Sequence, residues 1–322
     1  MTAAPSEPRP IRLGISACLL GESVRYDGGH KRDPFLTGTL GSFVEWVPVC
    51  PEVECGFGTP RESMRLVRVE QGVRLLTVKT SIDLTDHLER YARKRVVKLE
   101  AEDLSGYVLK KDSPSCGMER VKVYGGQGPA DKTGRGLFAA SLMERFPSLP
   151  VEEEGRLSDP RLRENFVERV FAYWRLRCLF AGRWNQGALV AFHTAHKLIL
   201  MAHSPEAYRT LGRLVADARD VSRHELERRY TARFMSALTV MATPRRHVNV
   251  LQHITGYFKN LLDRESKAEL AGAIEDYRRG FVPLVVPVTL LRHYVRLHNV
   301  SYLVGQLYLD PHPKELMLRN HV

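Results

Sequence analysis

At 322 residues, with 43% hydrophobic residues, 24 Gly and 18 Pro, the chain has the length and composition of one large or two ordinary globular domains. No apolar run approaches the roughly 20 residues of a membrane-spanning helix, and the opening MTAAPSEPRPIR lacks the apolar core of a signal peptide and reads as a short disordered lead-in. The net charge of +11 is uneven: residues 1–160 carry 23 Lys+Arg against 23 Asp+Glu, whereas residues 161–322 carry 25 against 14.

In the first half, short apolar runs alternate with turns rich in glycine and proline. IRLGISACLL (11–20) and FVEWVPVCPEV (43–53) read as buried strands, each running into a loop with a cysteine, and GYVLKKDSPSCG (106–117) repeats the design. SIDLTDHLERYARKRVVKLE (81–100) has apolar positions at helical spacing, and GRGLFAASLMERF (134–146) reads as a second helix. Strands alternating with helices predict an α/β domain with a largely parallel sheet, whose sites form at the carboxyl ends of strands. From Asp159 the pattern changes. Helical stretches are predicted at 161–180, 187–202, 204–218, 222–241, 245–262, 265–280 and 284–298, with little strand character between them. The expected architecture is therefore an α/β N-terminal domain over 1–175 followed by an all-α basic domain over 176–322.

Five cysteines, at 18, 50, 55, 116 and 178, are a sparse and odd set that fits a reducing, cytoplasmic setting, where clustered cysteines point to metal or chemistry. Cys18, Cys50 and Cys116 each follow an apolar run and sit beside turn formers. Loops at one edge of a parallel sheet converge, so these three thiols can share a site. Three thiolates with no evident fourth ligand favour an iron–sulfur cluster with one open iron over a closed structural zinc. Unrelated buried cysteines are the competing reading, and spacing alone does not choose between them.

The motifs ISACLLGESVRYDGG (15–29), CPEVECGFGTPRE (50–62) and LKKDSPSCG (109–117), in this order, resemble the bacterial thiouracil desulfidase family over about residues 10–175. The segment 173–208 resembles the helical domain often fused behind it, an architecture similar to that of tRNA 4-thiouridine desulfidases. The resemblance implies a [4Fe–4S] cluster held by Cys18, Cys50 and Cys116, with Glu52 and Ser113 as the catalytic acidic and hydroxyl groups beside the open iron. Cys55 stands where the family has an aliphatic residue or glycine, which makes it a packed small side chain; Cys178 lies in a helical stripe and reads as core.

The implied reaction is a non-redox desulfurization of 4-thiouridine in tRNA to uridine. The open iron would bind the thiocarbonyl sulfur, water would attack C4, and hydrogen sulfide would leave, with Glu52 shuttling protons and Ser113 orienting ring or water. Thiolated tRNA is the expected partner, bound through the basic second half, and no membrane is involved. Two alternatives are a desulfidase of free thiouracils or thionucleosides, and a non-catalytic, cluster-bearing RNA-binding or sensor protein. Arg25 shapes the first loop or holds substrate, and Ser115 can support the cluster by a hydrogen bond to sulfur. Arg183-Trp184-Asn185-Gln186 either contacts RNA or caps two helices; Arg228-Arg229 and Arg245-Arg246-His247 are phosphate contacts or a solvated face. His193 and His196 are assigned to core and surface roles. Gly125, Gly126 and Gly128 resemble a phosphate loop only weakly, because no Gly-Lys-Ser/Thr follows.

Overall fold

A computed structural model describes residues 9–125 and 129–321. The lead-in before Arg9, and Gly126 and Gly128 of the glycine-rich turn, lie outside the described residues. The chain divides into two units between Asp159 and Pro160.

The first unit contains strands β1 (Arg12–Ser16), β2 (Glu45–Val49), β3 (Met64–Val69), β4 (Gly72–Thr77), β5 (Leu104–Leu109), β6 (Val121–Tyr124), β7 (Asp131–Gly134) and β8 (Val151–Glu153), with helices α1 (Pro51–Glu54), α2 (Thr85–Leu99) and α3 (Leu137–Arg145). One sheet runs β2-β1-β5-β8 and is parallel throughout. Its middle strands are apolar because both faces are covered: every residue of β5 is buried, as are Leu13 and Ile15 of β1. Register brings Gly14 opposite Tyr107. A Cβ at Gly14 would stand 2.1 Å from the Tyr107 ring, so the ring lies directly over bare backbone. Gly14→Ala is expected to destabilise this unit by about 1–3 kcal/mol, as overpacking does, measured as a lowered urea midpoint with an unchanged slope.

A second sheet, β4-β3-β6-β7, has mixed directions and was not foreseen in the single-sheet expectation. It is built on the antiparallel pair β3/β4, joined through Glu70 and Gln71. Helix α2 begins four residues after its expected start at Ser81. Asp83 bridges back to Leu76, and the Thr85 hydroxyl accepts from the Leu75 amide at 2.7 Å, which holds 81–84 against β4 and out of the helix.

The second unit is helical: α4 (Pro160–Phe180), α5 (Gln186–His203), α6 (Pro205–Ala216), α7 (Arg223–Thr239), α8 (Pro244–Gly256), α9 (Arg264–Arg278) and α10 (Val285–His298). The side chains of Asn185, Ser204, Ser222, Thr243 and Asp263 each accept the amide hydrogen bond that opens the following helix. The expected boundary at 175/176 falls inside α4 and moves to 159/160. This 21-residue helix is continuous, and its Ala172 and Leu176 belong to the helical core. Pro160 is uncharged, so the second unit still carries the whole +11. Among the described residues no helix is long and apolar enough to cross a membrane.

Candidate active site

Because β2, β1 and β5 are neighbours running the same way, their carboxyl ends deliver three loops to one edge of the sheet. Cys18 sits in the single 3-10 turn Ala17–Leu20 after β1. Cys50 follows β2 directly and is the residue ahead of α1, with Pro51 at the first helical position. Cys116 lies in the turn after β5, where Gly117 donates to the Ser113 carbonyl at 2.8 Å. The amides of Phe138 and Ala139, opening α3, bond the Ser115 carbonyl at 3.0 and 3.1 Å, and a Cβ at Gly136 would stand 2.4 Å from that oxygen. Only glycine lets α3 close on this loop.

The three cysteines line one small cavity, of about 60 Å³, together with Glu52, Arg61 and Lys110. Burial pushes the Cys18 thiol up to about 11, raises Cys50, and raises Cys116 furthest; Cys18 and Cys50 each add to the shift of Cys116. Three mutually repelling, desolvated sulfurs are stable as thiolates only against added positive charge. That donor chemistry fits an iron–sulfur cluster. Among the described residues, no three His, Cys, Asp or Glu side chains converge as ligands of a single ion. A cluster makes no such demand, since its thiolates sit on separate irons.

Cys55 faces elsewhere. It packs against the cluster of Leu66, Leu75 and Leu88, and its thiol lies 3.4 Å from the Glu52 carbonyl. Cys178, expected in the core, is exposed on α4.

Glu52 stands on the first turn of α1 with both carboxylate oxygens engaged. Arg61 Nε donates to Oε2 at 2.9 Å, and its Nη2 reaches the same oxygen; both side chains are largely buried. Arg61 Nη1 also donates to the carbonyls of Val24 at 3.0 Å and Gly58 at 2.8 Å, so it ties the first cysteine loop to the second. The Ser115 hydroxyl donates to Glu52 Oε1. Ser115 Oγ therefore accepts from Ser113 Oγ, 2.9 Å away, which makes a chain Ser113–Ser115–Glu52. Ser113 Oγ in turn accepts from the amides of Ser115 at 3.3 Å and Cys116 at 3.1 Å. Its hydroxyl thus shapes the Cys116 turn as well as bordering the cavity. Ser115 is fully buried with its oxygen 3.8 Å from the Cys116 sulfur, but its single hydroxyl proton is directed at Glu52 and is not also available for the expected bond to sulfur.

Sequence reasoning assigned no role to Arg61 or Lys110. Arg61 lies in the quoted Thr-Pro-Arg-Glu stretch, but nothing in the spacing announces its bond to Glu52. Lys110 lines the cavity and pairs with the partly buried Glu154. Arg25 also lines it, 3.6 Å from Asp27, as its loop-shaping reading requires.

In the helical unit several candidate RNA contacts have structural work. Trp184 is 9% exposed, edge-on to Phe180 and covered by the Arg223 guanidinium at 4.8 Å. Asn185 caps α5. Arg228 and Arg229 share Glu225, Arg246 binds the His203 carbonyl at 2.8 Å, and His247 is buried against Tyr308. His193 and His196 are both buried. Burial lowers them to about 4 and about 3, so they are neutral core imidazoles.

A family model described as 2-thiouracil desulfurase matches residues 13–154, and one described as a protein of unknown function (DUF1722) matches residues 197–313. The chain is 35% identical over 161 residues to the uncharacterized protein YbgA of Escherichia coli (strain K12), covering 50% of this chain and 95% of that protein. It is 30% identical over 151 residues to the uncharacterized protein YbbK of Bacillus subtilis (strain 168), covering 45% and 97%. A solved structure described as the [4Fe-4S]-dependent thiouracil desulfidase TudS is 31% identical, with a TM-score of 0.39, over 46% of this chain and 94% of that one.

Proposed function

This chain belongs to the 2-thiouracil desulfurase family, and we propose that it is a desulfidase that replaces the C4 sulfur of 4-thiouridine in tRNA by oxygen, with a [4Fe–4S] cluster on Cys18, Cys50 and Cys116. The observation that carries this reading is the meeting of those three thiols with Glu52 and Ser113 around one cavity at the carboxyl edge of a parallel sheet. The cluster, when bound, supplies an iron without a protein thiolate, a soft Lewis acid suited to a thiocarbonyl sulfur.

The chain's own groups do the rest. Glu52 accepts a proton from the attacking water at a carboxylate oxygen, and Arg61 holds that carboxylate in place. Ser113 and Ser115 keep the Cys116 turn in register and set the direction of the hydrogen bond into Oε1. The water oxygen bonds C4, the C4–S bond breaks, and both water protons end on the sulfur as hydrogen sulfide. No electrons change hands.

The tRNA part rests on charge. A neutral first unit and a second unit of +11 suit a polyanionic substrate better than a free base. Neutralising several phosphates makes affinity fall steeply with salt. Between about 50 and about 200 mM salt, kcat/KM on thiolated tRNA is expected to drop by about 100-fold or more. The same change should move kcat/KM on free 4-thiouridine by less than about twofold, since a neutral nucleoside releases no counterions. Equal salt responses of the two substrates would overturn the tRNA assignment, leaving free thiopyrimidines as the substrate class.

A further inference from the structure

The helical unit holds a cavity of about 280 Å³ that the desulfurization reading does not use. Its deep wall is polar. Glu164 and Glu168 come from successive turns of α4, His203 from the end of α5, His247 from α8 and Tyr277 from the end of α9. Burial alone would raise Glu168, but His203 and Arg319 outweigh it and hold this carboxyl well below the usual range. His203 Nδ1 donates to the Val240 carbonyl at 2.7 Å while Nε2 faces Glu168 Oε1 at 3.3 Å. Arg319 lies 3.7 Å from Glu168 Oε2 and 3.3 Å from Glu164. Burial, with Glu168 adding to it, lifts Glu164 up to about 7. Near neutral pH this carboxyl can therefore donate or accept a hydrogen bond.

Two more polar groups in this wall are uncommitted. His247 and Tyr277 are each 9% exposed. His247 spends Nδ1 on the Tyr308 hydroxyl at 3.0 Å, and among the described residues nothing hydrogen-bonds its Nε2 or the Tyr277 hydroxyl. Burial lowers His247 to about 3, so its ring is neutral and Nε2 offers one proton or one lone pair. Polar groups inside a finished core are satisfied; two that line a void are set for a ligand. The remaining walls include Met241 and Leu284, and the Tyr277 ring meets His247 edge-on, 6.3 Å between centroids. At the mouth, Arg278 and Arg279 share the single carboxylate of Glu275, which leaves one guanidinium charge uncompensated.

A ligand matching this cavity is flat and apolar on its faces, carries adjacent donors and acceptors along one edge, and ends in an anion. We propose that the cavity binds a nucleoside 5′-monophosphate unit, with the base edge on His247, Tyr277 and Glu164 and the phosphate on Arg278 and Arg279. A free nucleotide and one nucleotide of an RNA chain share that chemistry.

Calorimetry on the full-length protein with UMP, CMP, AMP and GMP, the matching nucleosides, and short trinucleotides tests this without reading desulfidase activity. At least one monophosphate is expected to bind with one site per chain. Tyr277→Phe removes a hydroxyl that has no hydrogen-bond partner among the described residues, so it keeps the core and is expected to weaken binding about 10-fold. Arg279→Ala, on the exposed rim, is expected to weaken the monophosphate about 10-fold while leaving the nucleoside within about twofold. A trinucleotide that binds this site, sensitive to the same two variants, assigns it to RNA; binding of monophosphates alone assigns it to the free nucleotide. No binding of any of these ligands at millimolar concentration overturns the proposal, as does binding indifferent to both Tyr277→Phe and Arg279→Ala.

Discussion

Alanine at Cys18, Cys50 or Cys116 is expected to remove the brown iron–sulfur chromophore and with it all desulfidase activity, whereas Cys55→Ala and Cys178→Ala keep both. The division follows from where the sulfurs point. The first three border one cavity, and each is desolvated enough that its thiolate needs a cationic partner. Removing any one leaves two donors for a cluster that takes three, and the remaining thiols revert to their buried, protonated form. Cys55 sits only five residues from Cys50, yet α1 turns its sulfur toward the leucines beneath the second sheet. Its loss costs packing, on the order of 1 kcal/mol, and no ligand. Cys178 is on the other unit and exposed. Iron and sulfide counts with a visible spectrum, on anaerobic preparations of all five variants, check the pattern. A folded Cys55→Ala protein without iron would contradict the three-ligand assignment.

The helical half was legible because its signals are local. The starts expected at 187, 204, 222, 245 and 265 each fall within one residue of the observed ones, where Asn185, Ser204, Ser222, Thr243 and Asp263 cap the helices. The parallel strands β1, β2 and β5 were legible as apolar runs, being covered on both faces. The hairpin β3/β4 was missed although its signal is present. Arg65, Arg68 and Arg74 interrupt its apolar residues without strict alternation, and most of both strands is only partly buried, so neither an unbroken apolar run nor a clean period of two stands out. In the site, the cysteines and Glu52 were legible through their motifs. The Arg61–Glu52 pair was not, since it joins the second residue of a helix to a loop nine positions on, with no periodicity to connect them. For the run 183–186 the sequence leaves RNA contact and helix capping open. In the structure Asn185 caps α5, and Trp184 is largely buried, in T-shaped contact with Phe180 and covered on a face by the Arg223 guanidinium. The buried carboxylates of α4 were invisible for a similar reason: their partners His203 and Arg319 are distant in sequence and carry no shared pattern.

Glu52→Gln is expected to retain the cluster and lose about 10²–10⁴-fold in kcat, the usual cost of a positioned proton-transfer group. The substitution conserves volume and touches no thiol, so iron content and spectrum should match the parent protein. What changes is the hydrogen-bond pattern. The carboxylate accepts from Arg61 at one oxygen and from Ser115 at the other. An amide offers only one acceptor. If its oxygen faces Arg61, its NH₂ faces the Ser115 oxygen, and the direction of the Ser113–Ser115 chain no longer suits the residue it feeds. If the NH₂ faces Arg61, two donors confront each other in a largely buried pair. Either way no basic oxygen remains to take the proton of water. Because the pair with Arg61 also ties the loop before Cys50 to the helix after it, a fall in melting temperature accompanies the change. Single-turnover desulfurization of free 4-thiouridine, at matched iron content, separates this chemical loss from any effect on tRNA binding. Parental rates in a cluster-loaded Glu52→Gln protein would remove Glu52 from the reaction and reduce its pair with Arg61 to a clasp between the two cysteine loops.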